Sequence, residues 1–214
     1  MYLAKTINDI LESKKNKLIG RSSYFYICDV LTRAFRSVEP FKFKFETYRE
    51  YDKEDYSVSG IFDAEKNVRY IVLNFPTSCK TFNLKPSKWK DFKFAISQVC
   101  QHEAIHQCQW LARGGDYVLN QEKLDFRNIE GTIEEEQLYL ADPDEIDAYG
   151  HDIAMEIKYF YPKKDPIVVL SNINRHRKLW SYVYYKKTFK NEDWSQIRNR
   201  LIKKTHRWLP YVTV

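Results

Sequence analysis

The chain has 214 residues, 43% of them hydrophobic and 16% aromatic, with 35 Lys and Arg against 29 Asp and Glu for a net charge of +6. That length suits one domain with a sizeable core and an appendage. No run approaches the ~18 apolar residues of a membrane span, and Met1 to Lys17 lacks the apolar stretch of a signal peptide, so the expectation is a cytoplasmic protein without a membrane segment.

The charge is segregated. Residues 1–90 carry 17 basic and 11 acidic residues, 91–157 carry 4 and 15, and 158–214 carry 14 and 3. Cys28, Cys79, Cys100 and Cys108 show no C-x-x-C pair and read as reduced, buried thiols.

In chain order, Thr6–Lys17 has Ile7, Ile10, Leu11 and Leu18 at helical spacing. A second helix is expected over Arg21–Val38, capped by Ser22 or Ser23. Phe41–Phe45 alternates apolar with Lys, a strand with one wet face. Tyr56–Phe62 and Val68–Phe75 read as two further strands joined by a hairpin loop, Asp63–Asn67. Thr77–Ser87 reads as a loop, with Ser87 as the cap of the next helix.

Trp89–Arg113 contains neither proline nor glycine, and Gly114-Gly115 closes it as a helix. Asp116–Leu140 gives no clear period. Asp142-Pro143-Asp144-Glu145 opens a helix to about Tyr159, with Asp142 as cap and proline in the first turn. Pro162–Pro166 reads as a linker, dividing the chain into residues 1–160 and 161–214. Beyond it lie two basic, aromatic-rich helices, Arg175–Lys187 and Glu192–Trp208, the second capped by Asn191.

The long helix carries His102-Glu103-Ala104-Ile105-His106. Residues four apart share a helix face, so His102 and His106 can offer two imidazoles to one metal ion. Glu103 lies about 100° round the helix from His102, where it could act on a water as general base. Apolar residues flank the motif on both sides, so the helix is expected to be buried, and burying two His and a Glu costs free energy that a metal offsets. The expectation is a zinc hydrolase, most simply a peptidase.

Catalytic zinc takes three protein ligands. Downstream candidates are Glu134, Glu135, Glu136, Asp144, Glu145, Asp147, His151 and Asp152. Glu145 is favoured, being at the start of a helix that can pack across the motif helix. It also fits a capping box with Asp142, and His151 is the runner-up. Tyr149, His151 and Tyr139 are candidates to stabilise an oxyanion, with Tyr149 first because it lies one turn from Glu145. Val68–Phe75 is the expected sheet edge for an extended peptide substrate.

Two or three strands, an H-E-x-x-H helix and a second helix bearing Glu145 resemble the gluzincin-like zinc metallopeptidases. Glu145-Ile146-Asp147-Ala148-Tyr149 and the residues after it look like the second-ligand helix of compact metallopeptidases of phages and mobile elements. The resemblance covers roughly residues 40–157. It implies an α+β fold, with a small mostly antiparallel sheet packed on the H-E-x-x-H helix and on a second ligand-bearing helix, and with a helical C-terminal extension. It further implies His102, His106 and Glu145 as zinc ligands, Glu103 as general base, and residues 1–160 as the metallopeptidase-like domain. For a phage protein the compartment would be the host cytoplasm. Larger gluzincins often carry an acidic residue where this chain has Tyr149; Asp152 could orient a ligand histidine instead.

A competing reading is a binding protein with a structural or vestigial metal site. Residues 175–208 interleave Lys and Arg with Tyr and Trp, a pattern that suits nucleic acid. It equally suits amphipathic helices with aromatics inward and cations in water. The oligomeric state is left open by the sequence.

Overall fold

The computed structural model describes residues 4–38, 41–48, 56–76, 80–115, 132–189, 192–212 and 214. Its chain is α+β and divides into two compact units, Met1–Gln107 and Cys108–Val214. The expected division at 160/161 falls inside the second unit. Cys79 and the expected cap Asn191 lie outside the described residues.

The first unit begins with α1 (Ala4–Leu18), whose Ile7, Leu11 and Leu18 are fully buried. The second helix is capped by Ser23 as expected, but residues 21–23 are not part of it. Gly20–Ser23 forms a short strand, β1, and α2 (Tyr24–Phe35) begins after Ser23, whose hydroxyl accepts from Tyr26 N–H. β1 pairs antiparallel with β5 (Thr81–Leu84), inside the segment expected to be a loop.

The other sheet contains β2 (Phe41–Tyr48), β3 (Ser57–Asp63) and β4 (Val68–Pro76) in the order β2-β4-β3. β3 and β4 form the expected hairpin, closed by Asn67 at φ 48°, a left-handed position that Asn tolerates. β2 runs parallel to β4. Two of the three strand pairings among the described residues are therefore antiparallel.

β4 is the central strand, so it cannot be the substrate edge expected of it. The reason is visible in its burial: residues of both faces are covered, including Arg69, Ile71, Val72, Leu73 and Phe75. A strand apolar on both faces belongs inside a sheet. Among the described residues the edges of this sheet are β2 and β3.

Aromatic rings fill the core of this unit. Tyr24 stacks flat on Phe75 at 4.1 Å, and Phe75, Phe82 and Phe92 continue the contact. Each buried ring of this kind contributes roughly 1.5–3 kcal/mol. Phe92, Ile96, Cys100 and Ala104 of α3 (Trp89–Ala112) join the same cluster as Phe41, Phe43 and Ile71 of the sheet. A single 3-10 turn, Pro86–Lys88, leads into α3, so Ser87 lies within that turn rather than capping the helix.

The second unit is helical: α4 (Ile133–Ala141), α5 (Pro143–Phe160), α6 (Pro166–Ser171), α7 (Trp180–Thr188) and α8 (Glu192–Trp208). α5 is its axis and packs against the other four helices. Ile146, Ala148, Ile153, Ala154, Met155 and Ile157 are all fully buried. At Gly150 the approach of α8 is so close that an added Cβ would lie 2.7 Å from Lys204 Cβ and 3.1 Å from backbone. The buried Glu156 carboxylate accepts from Ser181 N–H and its hydroxyl, supplying the negative charge at the start of α7.

Among the described residues no helix is long and apolar enough to cross a membrane. Cys28 and Cys100 are buried free thiols, and burial pushes Cys28 up to about 12. Cys108 is exposed, contrary to expectation, because it lies on the outer face of α3.

Candidate metal centre

α3 is an unbroken helix, so the H-E-x-x-H spacing becomes a real face. His102 Nε2 and His106 Nε2 are 3.1 Å apart, with ring planes at 71° and centroids 4.8 Å apart. Two imidazole nitrogens at that distance either share a proton or face a common cation. His102 is buried and His106 partly so.

Glu103 is also buried, 5% exposed, and its position is tied to β3. A Cβ on Gly60 would lie 2.6 and 2.7 Å from Glu103 Cγ and Cδ. Glu103 thus fills the space that a side chain at position 60 would need. Gln107, one turn beyond Glu103, donates from Nε2 to Asn67 Oδ1 at 2.6 Å and fastens α3 to the β3–β4 turn. Gln101 donates to Ser97 Oγ at 2.9 Å on the same helix. Arg69 of β4 is fully buried, with its guanidinium 4.0 Å over the Phe41 ring. Gly60, Asn67 and Gln107 shape the site, and the motif alone does not identify them.

In the second unit, Asp142 caps α5 by accepting from Asp144 N–H at 2.7 Å. Asp144 is held twice by the end of α3. Gln109 Nε2 donates to its carbonyl at 3.1 Å, and the Arg113 guanidinium meets its carboxylate at 2.6 Å. Glu145, the next residue, is buried. His102 and His106 belong to the first unit and Glu145 to the second.

His151, the other candidate ligand, also belongs to the second unit. It is fully buried, edge-on to Trp208 at 5.1 Å, with Nδ1 3.4 Å from Asp152 Oδ1. Tyr149 stands edge-on to Tyr185 at 5.1 Å. Burial, with smaller contributions from Tyr149 and Glu145, drives the Tyr185 phenol far above its ordinary range, so it stays a neutral donor, to the Leu140 carbonyl. Tyr139 lies on the exposed side of α4. Of the acidic run, Glu135 is taken by a reciprocal capping box with Thr132.

Within 175–208 the aromatics divide. Tyr182 and Tyr185 are core, and Trp208 Nε1–H donates to Asp147, which also pairs with Lys204. Trp180 is 58% exposed. A scan against protein-family models found no matching family, and searches of curated proteins and of solved structures found no similar protein.

Proposed function

We propose that this chain is a zinc-dependent metallopeptidase with His102, His106 and Glu145 as ligands. The observation that carries the reading is the convergence of His102 Nε2 and His106 Nε2 to 3.1 Å on one helix, beside a buried Glu103. Two imidazoles sharing one tetrahedral zinc stand roughly 3.4 Å apart, so the pair suits that ion with little adjustment. Two histidines and a carboxylate form a donor set that leaves zinc one position open. Glu145, buried in the first turn of α5, is the carboxylate assigned as the third member.

Bound zinc would supply a Lewis acid that polarises a scissile carbonyl and lowers the pKa of water. The residues of this chain do the rest. Glu103 takes the proton of the attacking water and delivers it to the leaving nitrogen. Tyr149, four residues beyond Glu145 on α5 and braced by Tyr185, is the donor we assign to the developing oxyanion. β3 is the strand assigned to the substrate. It is an edge of its sheet, and its Gly60 lies directly against Glu103, so an extended peptide paired with β3 would run past the base.

Zinc content of the purified protein beside His106→Ala, together with cleavage of an unstructured protein substrate, tests the reading. Near-stoichiometric zinc in the parent, its loss in the variant and zinc-dependent cleavage are expected. Equal zinc in both proteins would refute the metal site. Stoichiometric zinc without cleavage of any peptide would leave a structural metal site and refute the peptidase.

A further inference from the structure

The second unit contains a surface that the metallopeptidase reading does not use. Between α5 and α7, residues 161–180 carry five basic residues and one acidic residue. The acidic one, Asp165, is occupied in capping α6 through Ile167 N–H. Some other cations of this unit are engaged, Arg113 with Asp144, Lys204 with Asp147 and Lys158 with the Val212 carbonyl, while Lys186, Lys187, Arg200, Lys203 and Arg207 are exposed on α7 and α8. Lys163, Arg175, Arg177 and Lys178 are exposed, and among the described residues none forms an ion pair.

These cations lie at the two ends of the connection, Lys163 and Lys164 at one and Arg175, Arg177 and Lys178 at the other. Two aromatic contacts bring the ends of the connection together. Tyr161 meets the His176 ring at 4.5 Å, and Phe160 meets Trp180 at 4.9 Å. Lys164 lies 5.3 Å from the centre of the Tyr161 ring. Partial burial, then the charges of Lys164 and Arg175, hold His176 below the ordinary imidazole range, a sign that the cations crowd one place. Like charges without counter-ions repel, and a polyanion would relieve them. The α7 N-terminus is not the anion site, since Glu156 already occupies it.

We propose that this connection, Lys163 to Trp180, is a binding site for single-stranded nucleic acid, with the cations on phosphates and the exposed Trp180 indole stacked on a base. Charge alone would suit any polyanion. Trp180 selects among them, because its indole is 58% exposed and its contact with Phe160 sets it beside the Tyr161–His176 pair that gathers the cations. A single strand offers both phosphates and unstacked bases. A duplex keeps its bases stacked inside, and an acidic peptide has no plane to offer.

Fluorescence anisotropy of a labelled oligothymidylate with the full chain tests this, in low salt and with added salt. Wild-type binding should weaken steeply with salt. Reversal of Arg175, Arg177 and Lys178 to Glu should weaken it roughly tenfold or more and reduce the log–log salt slope by about 2. Reversing Lys5, Lys17 and Lys85, exposed cations of the first unit, changes net charge equally and should cost under about twofold. Trp180→Ala should weaken binding roughly tenfold with the charge unchanged. Thermal melting of each variant separates these losses from misfolding, and binding should survive chelation, which distinguishes this site from the zinc reading. No wild-type binding at low salt would overturn the proposal. So would equal losses from the two reversals, full binding by the Trp180 variant, or equal affinity for duplex DNA or polyglutamate.

Discussion

Gly60 and Glu103 share one volume. The α-hydrogen face of Gly60 is where the Glu103 side chain lies, with less than 3 Å between its carbons and the position of any added Cβ. Gly60→Ala should therefore displace Glu103. The expected cost is about 1–3 kcal/mol of stability, the usual range for overpacking, with zinc retained and kcat lowered more than KM is raised. Denaturant melts, metal analysis and steady-state kinetics measure these together. Unchanged stability and unchanged kcat would show that Glu103 is free to move aside.

Glu103→Gln keeps the shape and removes the base. Zinc content should stay near that of the parent while hydrolysis falls by roughly 10²–10⁴-fold. Retained turnover would remove Glu103 from the reaction.

Glu12 links α1 to α3 by accepting from Trp89 Nε1–H at 3.0 Å and from Lys93 at 3.2 Å. The Trp89 hydrogen bond, helped by Lys93, holds its carboxyl below the ordinary carboxylate range. A carboxyl depressed in the folded state contributes stability above its unfolded pKa, and that contribution is lost as the pH falls through the folded value. Glu12→Gln should therefore be less stable than the parent at neutral pH, with the gap closing below about pH 4. Melts across that range measure it. A constant gap at all pH values would show that charge has no part in the link.

Gly150→Val should disrupt the second unit, because the new side chain would meet α8 at Lys204 Cβ and at backbone atoms that cannot turn away. A loss of at least about 1–3 kcal/mol is expected from overpacking, read as a lower melting temperature. Wild-type melting would mean that α8 can shift without cost.

The elements most legible in the sequence are those with an internal signal. α3 lacks breakers over its whole length, and α5 announces itself with Asp142 and Pro143. α4 has a signal too, since Thr132 and Glu135 stand at capping-box spacing, but Glu135 sits in an acidic run whose members also look like metal ligands. β1 and β5 carry four residues each, and neither has a period until its distant partner is known. β4 has a strand composition that suits an edge or an interior position, and only its two-sided burial decides between them. At the candidate centre, His102, Glu103 and His106 are readable because one helix sets their spacing. Gly60 is not, since its requirement comes from a side chain 43 residues away. Glu145 is ambiguous because a carboxylate in a first helical turn serves a cap as well as a metal, and Asp142 does cap this helix.

The unequal cover of the cysteines has a practical consequence. Cys28 and Cys100 are buried, and burial keeps both thiols protonated at neutral pH. Cys108 is open to solvent two residues beyond His106, on the same rigid helix. A maleimide dye should therefore label Cys108 well before either buried thiol. Such a dye would sit close enough to the two histidines to report, by quenching, when a paramagnetic ion such as Co²⁺ takes the place of zinc.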